Sequence, residues 1–391
     1  MHVVIAGAGV GGLCLAQGLL RRGIEVTVLE AAPGIVQAGY RLHMNADGGH
    51  ALRDCLPAEG YELYRQTSRS TPRRELLVFL DSTGAETGTR PHIGSPNDED
   101  LPHTAANRRT LRQILLSGIE DRVRFGVRVT GFRETATGVI VDLADGGTVE
   151  GDLLVGADGL RSVVRAQLLG APEVVDTGID SLYARTPLPD ELAATLPPEL
   201  FDGFVFAIGP DGRFLTFGAY QPRRPVREAA AELMPGASID PVDPYMQITM
   251  NIPVDGHLGF PDGSVHDADP HRLKEFWIEA VRGWNPAMRG LVEDIEEESI
   301  FPSRFVGLRP TPAWPSGRVT VLGDAVHAMP PSFGAGANTA LRDAATLAIR
   351  LGDAVRDGTS PVDAVGAFES EMRGYAYPIL EAALNPRAFA E

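Results

Sequence analysis

Three clusters of glycine and carboxylate stand where this chain could hold a ligand. The first runs Gly7-Ala-Gly9-Val10-Gly11-Gly12 and is followed, after a second apolar stretch, by Glu30 and Ala31. The second is Gly156-Ala-Asp158-Gly159, and the third is Gly323-Asp324 with Pro331 and the run Gly334-Ala-Gly336-Ala337-Asn338 behind it. Glycine lets backbone N–H groups come close to a phosphate, and an acid at the end of a strand accepts hydrogen bonds from a ribose. The first cluster therefore reads as a binding loop for a dinucleotide. His327 lies inside the third, but no carboxylate or nucleophile accompanies it locally, so it is expected to pack rather than to move protons.

The elements around the first cluster support that reading. His2 to Ala6 predicts a strand, the residues to about Arg22 a helix with Leu13, Ala16 and Leu20 on one face, and Glu25 to Leu29 a second strand after the stop at Gly23. In such a βαβ unit Gly7 permits the tight turn, Gly9 admits the diphosphate, and Gly12 lets the helix pack on the strand. No arginine stands beside Glu30 to receive a 2'-phosphate, which favours FAD or NAD over NADP and leaves the first two open. Leu153 to Ala157 and Arg318 to Leu322 predict the strands that present the other two clusters. Asp158-Gly159 alone also reads as a polar turn opening a helix, with Ser162 and Arg165 solvated.

The string Gly156-Ala-Asp-Gly-Leu-Arg-Ser-Val-Val-Arg165 resembles the Asp-Gly motif of the class A FAD-dependent monooxygenases, the para-hydroxybenzoate hydroxylase-like family. Gly323-Asp-Ala-Val-His-Ala-Met-Pro-Pro331 is similar to that family's Gly-Asp motif, whose Asp reaches the ribityl chain or ribose of FAD. The family usually has Gln between the next two glycines, where this chain has Ala335. Arg108, in Asn107-Arg-Arg-Thr-Leu111, matches the Arg-x-x-Leu helix start from which an Arg contacts FAD, with Arg109 as the competing candidate. Gly39-Tyr-Arg-Leu-His-Met-Asn-Ala46 resembles a further segment and sets Arg41 either against the flavin or on the surface.

The resemblance spans nearly the whole chain and implies an α/β fold. A Rossmann-like FAD-binding domain carries an inserted substrate domain built on an antiparallel β-sheet, and a C-terminal helix follows. The implied segments are 1–70, 103–171 and 303–362 for FAD, 71–102 and 172–302 for substrate, and 363–391 for the helix. It also implies a single-component monooxygenase. NADPH or NADH is a transient reductant without its own Rossmann domain, and oxygen reaches a small aromatic or polyketide-like substrate through a flavin C4a-hydroperoxide. Tyr220 and Tyr245 are the side chains that would activate a phenol, and Arg41 is a third catalytic candidate. Rivals are a reductase of the geranylgeranyl-reductase type, a flavin-dependent halogenase and a non-catalytic FAD-binding protein. The halogenase needs a lysine in the N-terminal part and a tryptophan-rich segment, whereas the sole lysine is Lys274 and Trp277, Trp284 and Trp314 form no such segment.

Composition sets the bounds. The chain has 391 residues, enough for two or three domains, and a net charge of -17, which argues against nucleic acid or an anionic membrane as partner. Cys14 and Cys55 are too few for a disulfide framework or a thiolate metal site, so no metal is expected. No leader precedes the first strand and no apolar run reaches membrane-spanning length, so a cytoplasmic monomer or homodimer is expected. In Tyr245 to Ile252 a period of two puts Tyr245, Gln247, Thr249 and Asn251 on one face and Met246, Ile248, Met250 and Ile252 on the other. The pattern does not say which face meets the substrate. Phe201, Phe204, Phe206, Phe217 and Tyr220 add an aromatic density suited to a large apolar ligand or to core packing.

Overall fold

A strand covered on both faces needs no polar side, and His2–Ala6 carries Val, Val, Ile and Ala without alternation. In the computed structural model, which describes residues 1–35, 40–70, 73–92, 103–254, 258–331 and 334–385, it is the middle strand of a parallel sheet. Gly39 lies outside the described residues. In chain order the strands are β1 (His2–Ala6), β2 (Glu25–Glu30), β3 (Arg41–Met44), β4 (Leu76–Asp81), β5 (Glu86–Pro91), β6 (Thr104–Asn107), β7 (Val123–Phe125), β8 (Val129–Glu134) and β9 (Val139–Leu143). They continue with β10 (Thr148–Gly151), β11 (Leu153–Gly156), β12 (Val174–Pro187), β13 (Phe204–Ile208), β14 (Phe214–Tyr220), β15 (Tyr245–Pro253), β16 (Phe301–Leu308) and β17 (Val319–Val321).

The parallel sheet runs β17-β11-β1-β2-β7, with Val3 opposite Leu153 and Leu154 opposite Val319. Each of the three ligand clusters therefore leaves the carboxyl end of a neighbouring strand, the place where open α/β sheets bind ligands. The helices Val10–Leu20 and Gly336–Asp357 pack against each other over this sheet. The C-terminal helix Pro361–Leu384 is capped by Ser360 and lays Val365, Phe368 and Met372 into the same core. Its buried Glu369 accepts hydrogen bonds from Trp314, Ser316 and Thr320, which tie it to β17.

A seven-stranded sheet, ordered β16-β12-β15-β14-β13-β4-β5, makes the second layer. Its pairs are antiparallel except β13 and β4, which run parallel. The helices Pro270–Ala280 and Pro286–Glu293 cover one face, where Met246, Ile248 and Met250 are fully buried around Trp277. Burial of such side chains stabilises by about 1.5–3 kcal/mol each. The short β3–β6 ladder lies between the layers, and no helix among the described residues is long and apolar enough to cross a membrane.

Candidate active site

The glycine loop divides its labour among three positions. Gly7 takes φ +106°, and a Cβ there would lie 2.3 Å from the Ala157 carbonyl oxygen; a Cβ on Gly12 would lie 2.1 Å from the carbonyl oxygen of Gly7. Those two glycines serve packing. A Cβ on Gly9 would meet nothing within 4 Å, yet Gly9 lines a cleft, so its missing side chain leaves room for a ligand. Glu30 accepts hydrogen bonds from the N–H groups of Ala8 and Ala32, each at 2.8 Å, and holds the loop from below, while Ala31 is exposed beside it. Arg112 holds it from the other side, donating to the Ala8 carbonyl at 2.9 Å. The sequence reading missed Arg112. Its signal is its place one helical turn after Arg108, on the inward face of the helix Arg108–Leu116.

One cavity of about 360 Å³ gathers the clusters. Val10, Gly11, Gly12 and Gly159 form one part of its wall, and Gly323, Asp324, Pro331, Gly334, Gly336 and Ala337 another. The helices beginning at Val10 and Gly336 both open onto it without a side-chain cap or an acid in the first turn. Their free N–H groups present partial positive charge to the cavity. Asp324 is exposed to it and makes no hydrogen bond or ion pair among the described residues. Arg108 lines it with its guanidinium equally uncommitted, whereas Arg109 is paired with Asp240 at 2.5 Å, which separates the two candidates.

Asp158 and Asn338 lie behind the wall. One Asp158 oxygen accepts from the N–H groups of Val163 and Val164, capping the next helix; the other is buried without a hydrogen bond among the described residues. Asn338 is buried and donates to the carbonyls of His43 and Gly334 while accepting from the N–H of Asn45. It clasps β3 to the Gly334 turn.

The opposite wall is the uncovered face of the large sheet. Phe204, Phe206, Phe214, Thr216, Thr249 and Asn251 face the cavity, so the polar face of β15 is the ligand face and the methionine face is core. Phe217 points into the core, and Phe201 packs against it. Arg41 is buried on this wall, with its Nε on the Ala219 carbonyl and its backbone N–H on Gln247. It has no carboxylate partner among the described residues. Burial, then Arg69, push its guanidinium down to about 9, still cationic at neutral pH.

Tyr220 and Tyr245 share the parity of the cavity face but not its depth. Paired across the ladder, they sit at the strand ends beyond Arg41, in a cluster with Tyr40. The Tyr220 hydroxyl donates to the Thr67 carbonyl, and that of Tyr245 accepts from Asn107. Burial raises both above the ordinary tyrosine range, so neither is poised to exchange a proton with a ligand. His327 does have a carboxylate, supplied from a distance. Its Nε2 lies 2.6 Å from Asp343, which also accepts from the N–H of Gly323 and the hydroxyl of Tyr375. The buried pair thus fixes the backbone that presents Asp324.

These residues fit FAD. The open space at Gly9, the orphaned Asp158 oxygen and the two uncapped helix starts are what a diphosphate, its sugars and an electron-rich ring would complete. Replacing Asp324 by Ala is expected to weaken FAD binding by roughly tenfold or more, the value of one charge-assisted hydrogen bond of about 1.5–3 kcal/mol. The melting of the apoprotein should change little, because Asp324 makes no hydrogen bond or ion pair among the described residues and acts on the fold only through the charge it lends to His327. Fluorescence titration of apoprotein with FAD reads the effect, and wild-type affinity would move the sugar contact elsewhere.

Comparison with known proteins agrees. The family profile described as FAD binding domain matches residues 264–382. A phenazine 1,6-dicarboxylic acid hydroxylase, PhzS of Lysobacter antibioticus, is 32% identical over 394 residues, covering 97% of this chain and 88% of the relative. A solved structure from Photorhabdus luminescens subsp. laumondii TTO1, assigned as an FAD containing monooxygenase, superposes with a TM-score of 0.82 at 30% identity, covering 98% of this chain and 96% of that one. The dual O-methyltransferase/FAD-dependent monooxygenase elcB of Phaeosphaeria nodorum is 31% identical across 100% of this chain, but the chain spans only 44% of its length. With the motifs converging on one cavity and a relative matched nearly end to end, the chain belongs to the family of FAD-dependent monooxygenases.

Proposed function

We propose that the chain is a single-component oxygenase that uses NAD(P)H and dioxygen to hydroxylate, or otherwise oxygenate, a small aromatic or polyketide-like molecule. One observation carries this: a single cavity has the flavin-binding loops on one wall and an aromatic, sparsely polar sheet face on the other. Bound FAD supplies the electron transfer and oxygen activation for which the side chains have no equivalent. The chain's own work is to bind, orient and keep dry. Asp324, Arg108 and the two helix starts hold the cofactor, and Arg41 adds a cation at the boundary between cofactor and substrate.

Phe204, Phe206 and Phe214 offer ring faces to a planar substrate, and the hydroxyls of Thr216 and Thr249 with the amide of Asn251 set its orientation. The tricyclic acid hydroxylated by the Lysobacter relative is of the size and character this wall suits. In this reading residues 1–70, 103–171 and 303–362 hold FAD, 71–102 and 172–302 cover it, and β16 joins the two parts.

Labelled dioxygen tests the proposal. With a true substrate, NAD(P)H oxidation should accelerate and one labelled oxygen atom should enter the product. Substrate that gains two hydrogens without air would establish the reductase instead, and a halide-dependent product the halogenase.

A further inference from the structure

Three histidines widely separated in sequence meet at the edge of the cavity. His43 is on β3, His92 directly follows β5, and His103 directly precedes β6. The β3–β6 register sets Met44 opposite Thr104, which brings His43 and His103 together, and the edge hairpin of the large sheet delivers His92. The rings of His43 and His92 stack at 4.7 Å, and His103 stands 5.0 Å from each. One ring nitrogen from each lies within 4.8 Å of the others. The Nε2 atoms of His43 and His92 are buried and make no hydrogen bond among the described residues. Buried polar atoms are seldom left without a partner, and three imidazoles with a nitrogen of each this close together are a donor set suited to a borderline metal ion.

We propose that His43, His92 and His103 form a binding site for one divalent transition-metal ion of the zinc or copper class, placed where the cofactor layer meets the substrate sheet. The site is independent of the oxygenation proposed above. Zinc takes imidazole nitrogen at about 2.0–2.1 Å, which sets neighbouring nitrogens roughly 3.3 Å apart in a tetrahedron, so closing the site asks for shifts of about 1 Å. Ligation requires neutral imidazole, and the surroundings supply it. Burial first, then His92, Arg41 and His103, hold His43 well below its ordinary range; burial, then His103 and Arg41, lower His92 to about 4. Three neutral ligands leave the ion's charge uncompensated, with Arg41 close by, so the fourth position calls for an anionic oxygen such as hydroxide. Binding would pin β3 to the β4–β5 hairpin across the layer boundary.

The test uses untagged, FAD-loaded protein stripped with a chelator. Calorimetric titration with Zn²⁺ should show one equivalent bound per chain at micromolar concentrations, and Cu²⁺ should give an electron paramagnetic resonance spectrum with coupling to imidazole nitrogens. His92→Ala, at the sheet edge, and His43→Gln should each bind at least roughly tenfold more weakly, since loss of outer-shell partners alone costs about 10–100-fold. Their FAD content and circular dichroism establish that they are folded. Sub-stoichiometric or only millimolar binding by the wild type overturns the proposal, as does undiminished Zn²⁺ affinity in either folded variant.

Discussion

Replacing Gly9 by Ala is expected to remove FAD without harming the fold, whereas replacing Gly12 by Ala is expected to harm the fold itself. The two glycines are three residues apart in one loop, but their surroundings differ. A Cβ on Gly9 meets nothing within 4 Å, so the apoprotein should melt as the wild type does. The same methyl group stands where a diphosphate must approach the backbone. Loss of even one charge-assisted hydrogen bond of about 1.5–3 kcal/mol lowers affinity roughly 10–100-fold. On Gly12 the Cβ would lie 2.1 Å from a backbone oxygen, and no side chain is there to swing aside. The helix must lift from β1, at a cost of about 3 kcal/mol or more, the upper range for overpacking. Thermal unfolding of both apoproteins, followed by FAD titration of each, separates the effects. Equal melting temperatures for the two variants would contradict the division of roles.

The second large effect is expected at Asp343, which touches no ligand. Asp343→Ala leaves the fully buried His327 without its counter-charge and the Gly323 N–H and Tyr375 hydroxyl without their acceptor. Breaking one side of a buried pair costs about 3–5 kcal/mol. Burial alone would lower His327, but the charge of Asp343, the hydrogen bond to it and the charge of Asp324 outweigh burial and raise it above its ordinary value. The pair's contribution is therefore complete below about pH 6.5 and is lost as pH rises through the raised folded-state value. Urea unfolding should show the gap between wild type and Asp343→Asn widest in mildly acidic buffer and narrowing toward alkaline pH. A gap independent of pH would mean that the imidazole is neutral throughout. FAD affinity should fall as well, because the Gly323 backbone that carries Asp324 is released.

What could be read from the chain alone follows how local the cause is. Gly7, Gly9 and Gly12 stand at fixed spacing in one strand-to-helix turn, and Asp324 follows directly on a short apolar strand, so their positions were legible from local pattern even though the backbone that crowds Gly7 is that of distant Ala157. The parity of Tyr245 to Ile252 was legible for the same reason, but the choice of face was not. It depends on the helices Pro270–Ala280 and Pro286–Glu293 covering the methionine side. Tyr220 and Tyr245 show the limit of periodicity, which gives the face of a sheet but not the distance along a strand to a cavity. Asp343 beneath Gly323 and the three histidines arise from contacts between separate segments, and nothing in their own neighbourhoods announces them; Arg112 has a local signal in its spacing from Arg108, but its partner Ala8 is supplied from afar. Arg108 and Arg109 are adjacent and alike in sequence; only Asp240, far along the chain, distinguishes them.

The strand order of the parallel sheet also dictates a timetable. β1 has no partner on one side until Leu153 is made, and β11 none until Val319, so at about 5–20 residues per second the sheet waits on the order of ten seconds at each stage of synthesis. During that wait an apolar edge lies open, with the aggregation hazard of any unpaired strand and the slow closure of any non-local one. The segment from Gly323 to Asn338, which completes the cofactor cavity, emerges after all but the last helices. Cofactor capture must therefore follow assembly of the sheet rather than template it, and supplying FAD should raise the stability of finished molecules without rescuing stalled ones.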